Sequence, residues 1–170
     1  MEIDKITKSY DVRMLNRDDV DAVFGLCRKN TLYYQYCPPF ITRDGVVEDM
    51  EILPPGKKKG DKYFLGYFDE DSLIAILDLI AGYPDVNTYY IGLFMMDLSV
   101  QGKGEGTKIV TELSSYLSEI GVKRIELAWV KGNPQAERFW KKNGFVALEE
   151  RSSNAAEHVI VAERNLKYNL

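Results

Sequence analysis

Three apolar runs, Lys62–Phe68 (KYFLGYF), Ser72–Ile80 (SLIAILDLI) and Thr88–Met96 (TYYIGLFMM), come one after another with only short polar breaks. Aromatic and branched residues suit a pleated, half-buried surface, so each run reads as a strand. The breaks, DEDS (69–72) and GYPDVN (82–87), are rich in residues that turn a chain through local hydrogen bonds or a preset φ. Short breaks of this kind join antiparallel neighbours, and the three runs therefore predict a meander. The rest of the chain must extend that sheet or cover one of its faces.

Beyond Met96 the chain reads as helix, strand, helix, strand, strand. Ile109, Val110, Leu113, Tyr116, Leu117 and Ile120 recur at helical spacing, in a helix that begins at Gly102 and stops at Gly121. KRIELAWV (123–130) reads as a strand. NPQAERFWKKNG (133–144) reads as a helix with Asn133 at the cap, Pro134 at its first position, Gly144 just past its end, and Ala136, Phe139 and Trp140 facing inward. FVALEE (145–150) and EHVIVAERNL (157–166), joined by RSSNAA, complete the sheet. Upstream, SYDVRML (9–15) is a short strand, followed by a helix capped by Asn16 with Val20, Val23, Phe24 and Cys27 on one face. An aromatic loop, NTLYYQYCPPF (30–40), leads to a second helix that starts at Thr42 and buries Val46, Val47 and Met50. The strand from Thr88, the helix from Gly102 and the strand from Lys123 form one parallel crossover. The expected class is α/β: a mixed, mostly antiparallel sheet with helices on both faces, in a single domain over residues 1–170.

With 170 residues, 45% of them hydrophobic and 12% aromatic, the chain can bury one substantial core. Its net charge of −4 and scattered lysines and arginines argue against nucleic acid or an acidic membrane as partner. The one basic run, Lys57–Lys59, is flanked by prolines and glycines and reads as a solvated loop. Cys27, Cys37 and the single histidine, His158, have no metal-ligand spacing, so no metal is expected. The first ten residues contain no apolar segment of signal-peptide type, and the run Leu73–Tyr83 is too short to span a bilayer. A cytoplasmic protein with reduced thiols is expected.

Against this background the run QGKGEG (101–106) stands out, with glycine at three of five positions where a helix begins. Near a helix interior each glycine costs roughly 0.5–1 kcal/mol relative to alanine. A helix starting directly after a strand presents unpaired N–H groups and the positive end of its dipole, a site for phosphate, and glycines let the phosphate reach the backbone. Lys103 and Lys108 add positive charge. No Walker loop is present, because Gly106 is followed by Thr107 before Lys108. The spacing G-x-G-x-G, late in the chain, also departs from the dinucleotide fingerprint, although Glu126 falls about twenty residues onward, where a ribose-binding acid would stand.

The stretch Gln101–Gly106 resembles the [QR]-x-x-G-x-[GA] signature of the GCN5-related N-acetyltransferases (GNAT superfamily). Asn133–Phe145 resembles that family's second motif at Asn133, Ala136, Phe139, Lys142, Gly144 and Phe145. The order of elements is similar over essentially the whole chain. The resemblance implies acetyl-CoA as acetyl donor and an amine of a small molecule or peptide as acceptor, in a monomer or homodimer. It implies that the amides of Gln101, Gly102, Lys103, Gly104, Glu105, Gly106 and Thr107 cradle the diphosphate. Phe94, Met95 and Met96 would run beside the pantetheine arm, with the Met96 N–H toward the thioester carbonyl, a fixed donor aimed at developing charge. Asn133, Phe139 and Trp140 would line its far side.

Transfer to an amine requires removal of a proton from the amine, and protonation of the thiolate helps it leave. The family's usual acid is a tyrosine, but Trp140 holds that position and an indole N–H is too weak an acid. Tyr89, Tyr90, a water or no acid at all stay open. Candidate bases are Glu126, which alternates away from Ile125 and Leu127, Asp97 at a strand end, and Asp78, which interrupts an apolar run. Tyr33, Tyr34 and Tyr36 lie where the family forms its acceptor pocket, and aromatic faces suit a cationic amine. The missing acid leaves a second class open, a non-catalytic acyl-CoA-binding module.

Overall fold

The computed structural model describes residues 1–153 and 158–166. Glu157, expected to open the last strand, and the second half of the expected connection before it lie outside the described residues. β1 (Asp11–Met14) leads to Asn16, whose side chain accepts from the Asp18 N–H and starts a short 3₁₀ turn into α1 (Val20–Cys27). The aromatic segment after α1 is not a loop. Residues Thr31–Tyr36 form α2, begun by a hydrogen bond from the Tyr33 N–H to the Asn30 carbonyl. Leucine, tyrosine and glutamine tolerate a helix, and nothing breaks it before Pro38, which disfavours helical backbone at Cys37.

α3 (Arg43–Glu51) starts at Thr42, whose hydroxyl accepts from the Gly45 N–H at 3.0 Å. Of its three expected core residues only Val46 is buried, while Val47 and Met50 stay half-buried.

The meander is present as β2 (Lys62–Asp69), β3 (Ser72–Ala81) and β4 (Thr88–Met96), followed by α4 (Glu105–Glu119), β5 (Arg124–Val130), α5 (Pro134–Lys142), β6 (Val146–Arg151) and β7 (Val159–Asn165). They form one seven-stranded sheet in the order β1-β2-β3-β4-β5-β7-β6, in which only β4 and β5 run parallel. Two apolar clusters cover its faces. Ile109, Val110, Leu113 and Leu117 of α4, with Trp140 of α5, pack on Leu77, Leu79, Ile91, Ile125 and Leu127. Val23, Leu26 and Cys27 of α1, with Val46 of α3, pack on Phe64, Ile76 and Met95. Ile120, at helical spacing with the α4 stripe, is instead 45% exposed at the helix end.

Two irregularities of β4 make the site. Leu79 pairs with Ile91 and Asp78 with Leu93, so Gly92 is an extra residue, a bulge in the central strand. β4 and β5 then part: their pairing runs from Thr88–Arg124 to Ile91–Leu127, while β4 continues to Met96 and β5 to Val130. A wedge-shaped gap opens between them.

Candidate active site

The gap exposes main chain on the β4 side. The Asp97 N–H donates to the Ile74 carbonyl of β3 at 2.8 Å. Because peptide groups alternate in direction along an antiparallel pair, the N–H groups of Met96 and Phe94 point away from β3, toward the gap. The Met96 carbonyl, which a regular β5 would have paired, instead accepts from Gln101 Nε2 at 3.0 Å and Asn30 Nδ2 at 3.1 Å. Gln101 Nε2 also donates to Asn30 Oδ1 at 2.8 Å. The structure thus uses the Gln101 side chain as a brace, and its own N–H donates to the Leu98 carbonyl at 3.4 Å. Asn30, 8% exposed, is a site residue that sequence reasoning misses; a polar residue between two helices is its only signal.

Beside the gap, α4 begins three residues later than its periodicity suggests. Gly102 and Gly104 have φ of +74° and +90°, a conformation that excludes helix. Gly104 occupies the cap position and no side chain caps the helix. The first α-helical bond is Lys108 N–H to the Gly104 carbonyl, which leaves the amides of Glu105, Gly106 and Thr107 ahead of the hydrogen-bonded ladder. The space above Gly102 and Gly104 is open: an added Cβ would meet no atom within 4 Å. Gly106 serves a different purpose. A Cβ there would lie 3.2 Å from Phe139 Cε2 and 3.7 Å from Met96 Cγ, so its missing side chain is filled by protein, not left for a phosphate.

Glu105, an acid in the first turn, accepts a hydrogen bond from the Tyr10 hydroxyl, and Lys108 Nζ lies 5.1 Å from the Tyr10 ring centroid. Lys103 is exposed on the turn. On the other side Phe139 stacks on Phe94, centroids 5.8 Å apart at 21°, and Trp140 packs against Phe94, Phe139 and Phe145. Trp140 is 8% exposed, a member of the core. Asn133 caps α5 by accepting from the Ala136 N–H at 3.1 Å. The two sequence motifs therefore meet in space, through Gly106 against Phe139.

The candidate bases separate. Asp97 accepts from the Ser99 N–H at 2.9 Å and pairs with Lys29 Nζ at 2.9 Å. Its partial burial pushes the carboxyl up, but the bonds from Ser99 and Lys29 outweigh this and hold it below the usual carboxylate range. It is an ionised cap, already partnered. Glu126 and Tyr90 stand at the same register on the face away from α4, at the closed end of the gap. Arg124 Nε donates to Glu126 Oε1 at 3.1 Å, and burial raises the Tyr90 phenol. Tyr33 and Tyr34 pack edge-to-face at 5.0 Å on the α1–α3 side, and Tyr36 is half-buried at the end of α2. Burial, with the nearby thiols of Cys37 and Cys27, raises the Tyr33 and Tyr34 phenols. Among the described residues no group of three His, Cys, Asp or Glu is placed to hold a metal, and no helix is long and apolar enough to cross a membrane.

Chains with this architecture are known. An acetyltransferase from Thermus thermophilus superposes with a TM-score of 0.75 at 20% identity, over 93% of this chain and 97% of that one. RimL, a ribosomal L7/L12 alpha-N-protein acetyltransferase in complex with coenzyme A, gives 0.73 at 17% identity, over 97% and 98%. AAC(6')-Ib, in complex with parmomycin and acetyl-CoA, gives 0.72 at 16% identity, over 93% and 94%. No curated protein matches the chain in sequence. The family profile described as "Acetyltransferase (GNAT) family" matches residues 30–145, a span that holds the gap, the glycine turn and the Phe139 helix. The chain belongs to the GNAT acetyltransferase family, whose members are acetyl-CoA-dependent N-acetyltransferases.

Proposed function

We propose that this protein transfers the acetyl group of acetyl-CoA to a primary amine of a small molecule or peptide, by direct attack within a ternary complex. The observation that carries the reading is the junction of an uncapped α4 with the gap between β4 and β5. Three first-turn amides and the open backbone at Gly102 and Gly104 fit a diphosphate, with Lys103 adding charge. Bound there, acetyl-CoA supplies a thioester that an amine can open. Phe94, Met95 and Met96 run alongside its arm, and Asn133, Phe139 and Trp140 support the opposite wall. The inward N–H groups of Met96 and Phe94 are fixed donors for charge that develops on the thioester oxygen. Tyr33, Tyr34 and Tyr36 border the acceptor, and Glu126 with Tyr90 lies on the floor. Asp97 holds the end of β4 in place.

Among the similar structures, one is an alpha-N-acetyltransferase of a ribosomal protein and another holds parmomycin together with acetyl-CoA. That range supports the reaction class and leaves the acceptor itself open. Free thiols at Cys27 and Cys37 suit a reducing, cytoplasmic setting. A single domain acting as monomer or homodimer completes the proposal. One observation favours a second reading, a non-catalytic acyl-CoA-binding module: the position of the family's acid is a buried tryptophan. Both are tested with Gly104→Glu, titrated calorimetrically with acetyl-CoA, and by thiol release with a panel of amines and peptide N-termini. Unchanged affinity in the variant excludes the site. Tight binding by the wild-type protein with no turnover on any amine selects the binding module.

A further inference from the structure

Asp78 lies in the middle of β3 between Leu77 and Leu79, 7% exposed. Lys62 Nζ of β2 donates to its Oδ2 at 2.8 Å, yet Oδ1 is buried with no hydrogen-bond partner among the described residues. A buried carboxylate oxygen without a donor is costly, so native folds rarely keep one without a reason. The same carboxylate meets an opening at Gly92 through its other oxygen. This bulge residue is exposed although it sits in the central strand, and a Cβ on it would lie 2.7 Å from Asp78 Oδ2. The helices on this face leave the bulge open, and the Asp78 carboxylate forms a wall of the opening. Two residues further along the strand, about 7 Å away at ordinary rise, is Phe94, whose N–H faces the gap.

Resting on the acetyl-transfer reading above, we propose that Asp78 is the catalytic carboxylate: it binds the acceptor's ammonium over Gly92 and takes its proton. The ammonium proton passes to Oδ2, the oxygen that faces Gly92. The freed nitrogen pair forms the N–C bond to the acetyl carbon, the C–S bond breaks with its electrons on sulfur, and a second N–H proton reaches that thiolate through solvent. Lys62 holds the carboxylate in position. The charged groups around Asp78 are few: Lys62 from β2, Asp49 from α3 with Glu48 beside it, and no charge on β4, which contributes Gly92. Asp49 is in turn neighboured by Tyr33 and Tyr34 of α2 and Cys27 of α1. Burial raises the Asp78 carboxyl and Lys62 opposes the rise, which moves the carboxyl closer to the operating pH of a base.

The test is the pH profile of kcat/KM for an acceptor amine in wild type, Asp78→Asn, Lys62→Gln and Glu126→Gln, with acetyl-CoA affinity measured in parallel. Asp78→Asn is expected to lose about 10²–10⁴-fold in kcat/KM and its acidic limb, with acetyl-CoA affinity within about twofold of wild type. Lys62→Gln removes the charge and hydrogen bond that hold the Asp78 carboxyl down, so its acidic limb is expected at higher pH than in wild type. Should Asp78→Asn fail to fold, Lys62→Gln decides, since a limb that does not move to higher pH overturns the proposal. Retained turnover in a folded Asp78→Asn, or loss of the limb in Glu126→Gln instead, overturns this assignment and leaves acetyl transfer standing. Absence of turnover in the wild-type protein, with acetyl-CoA bound, overturns both.

Discussion

Gly106 and Phe139 share one volume: the Cβ that Gly106 lacks would stand 3.2 Å from Phe139 Cε2. Through this contact the first turn of α4 rests against α5, and the ring in turn stacks on Phe94 at the mouth of the gap. Gly106→Ala must push the ring aside and disturb that stack. The variant is expected to lose about 1–3 kcal/mol of stability, the usual scale of overpacking, and to bind acetyl-CoA more weakly. Pairing it with Phe139→Leu makes room for the methyl, and recovery of stability in the double variant, read by thermal unfolding, checks the packing account.

The amides of Asn30 and Gln101 replace the strand partner that Met96 loses where β5 turns away. Asn30→Ala leaves the Gln101 amide and the Met96 carbonyl each short of a partner, at a cost of about 1–3 kcal/mol. Gln101→Ala is expected to cost a similar amount, and the double variant less than the sum of the two, because both belong to one network. Chemical denaturation of the four proteins measures the coupling.

Trp140 stands where the family's tyrosine acid is absent, and it is buried among Phe94, Phe139 and Phe145. Trp140→Phe is therefore expected to lower stability by about 1–3 kcal/mol while retaining acetyl transfer within a few fold. A loss of kcat beyond about 10²-fold, at unchanged acetyl-CoA affinity, would give the indole a chemical role.

Burial, followed by the nearby charge of Asp78, raises the Asp49 carboxyl to about 6. A carboxyl whose folded pKa exceeds its unfolded value favours the folded state when protonated. Its destabilising effect sets in as pH rises above the unfolded value of about 4 and is complete above about 6. Asp49→Asn should raise the melting temperature at pH 7 and change it little at pH 4. An equal shift at both pH values would contradict the assignment.

Much of the fold is legible in the sequence because the strands carry it. The runs at Lys62, Ser72 and Thr88 match β2, β3 and β4, and the caps at Asn16, Thr42 and Asn133 are all present. The α2 helix escapes a reading by pattern because one and a half turns of tyrosine have no periodicity to detect. The start of α4 is displaced because glycine permits both helix and the left-handed turn, and only the backbone decides. At the site, spacing locates the glycine turn but not the division of labour within it, since the role of Gly106 depends on Phe139, thirty-three residues away in sequence. Asn30 and the bulge at Gly92 depend on register, which no local pattern carries.

The central claim is that main-chain amides at the start of α4 bind the diphosphate of acetyl-CoA. Amide chemical shifts, followed by ¹⁵N–¹H spectroscopy during titration with acetyl-CoA, test it most directly. The largest changes are expected at residues 102–107, with Phe94 and Met96 next. A saturating titration that leaves those amides unmoved, with shifts confined to another part of the sheet, would contradict it.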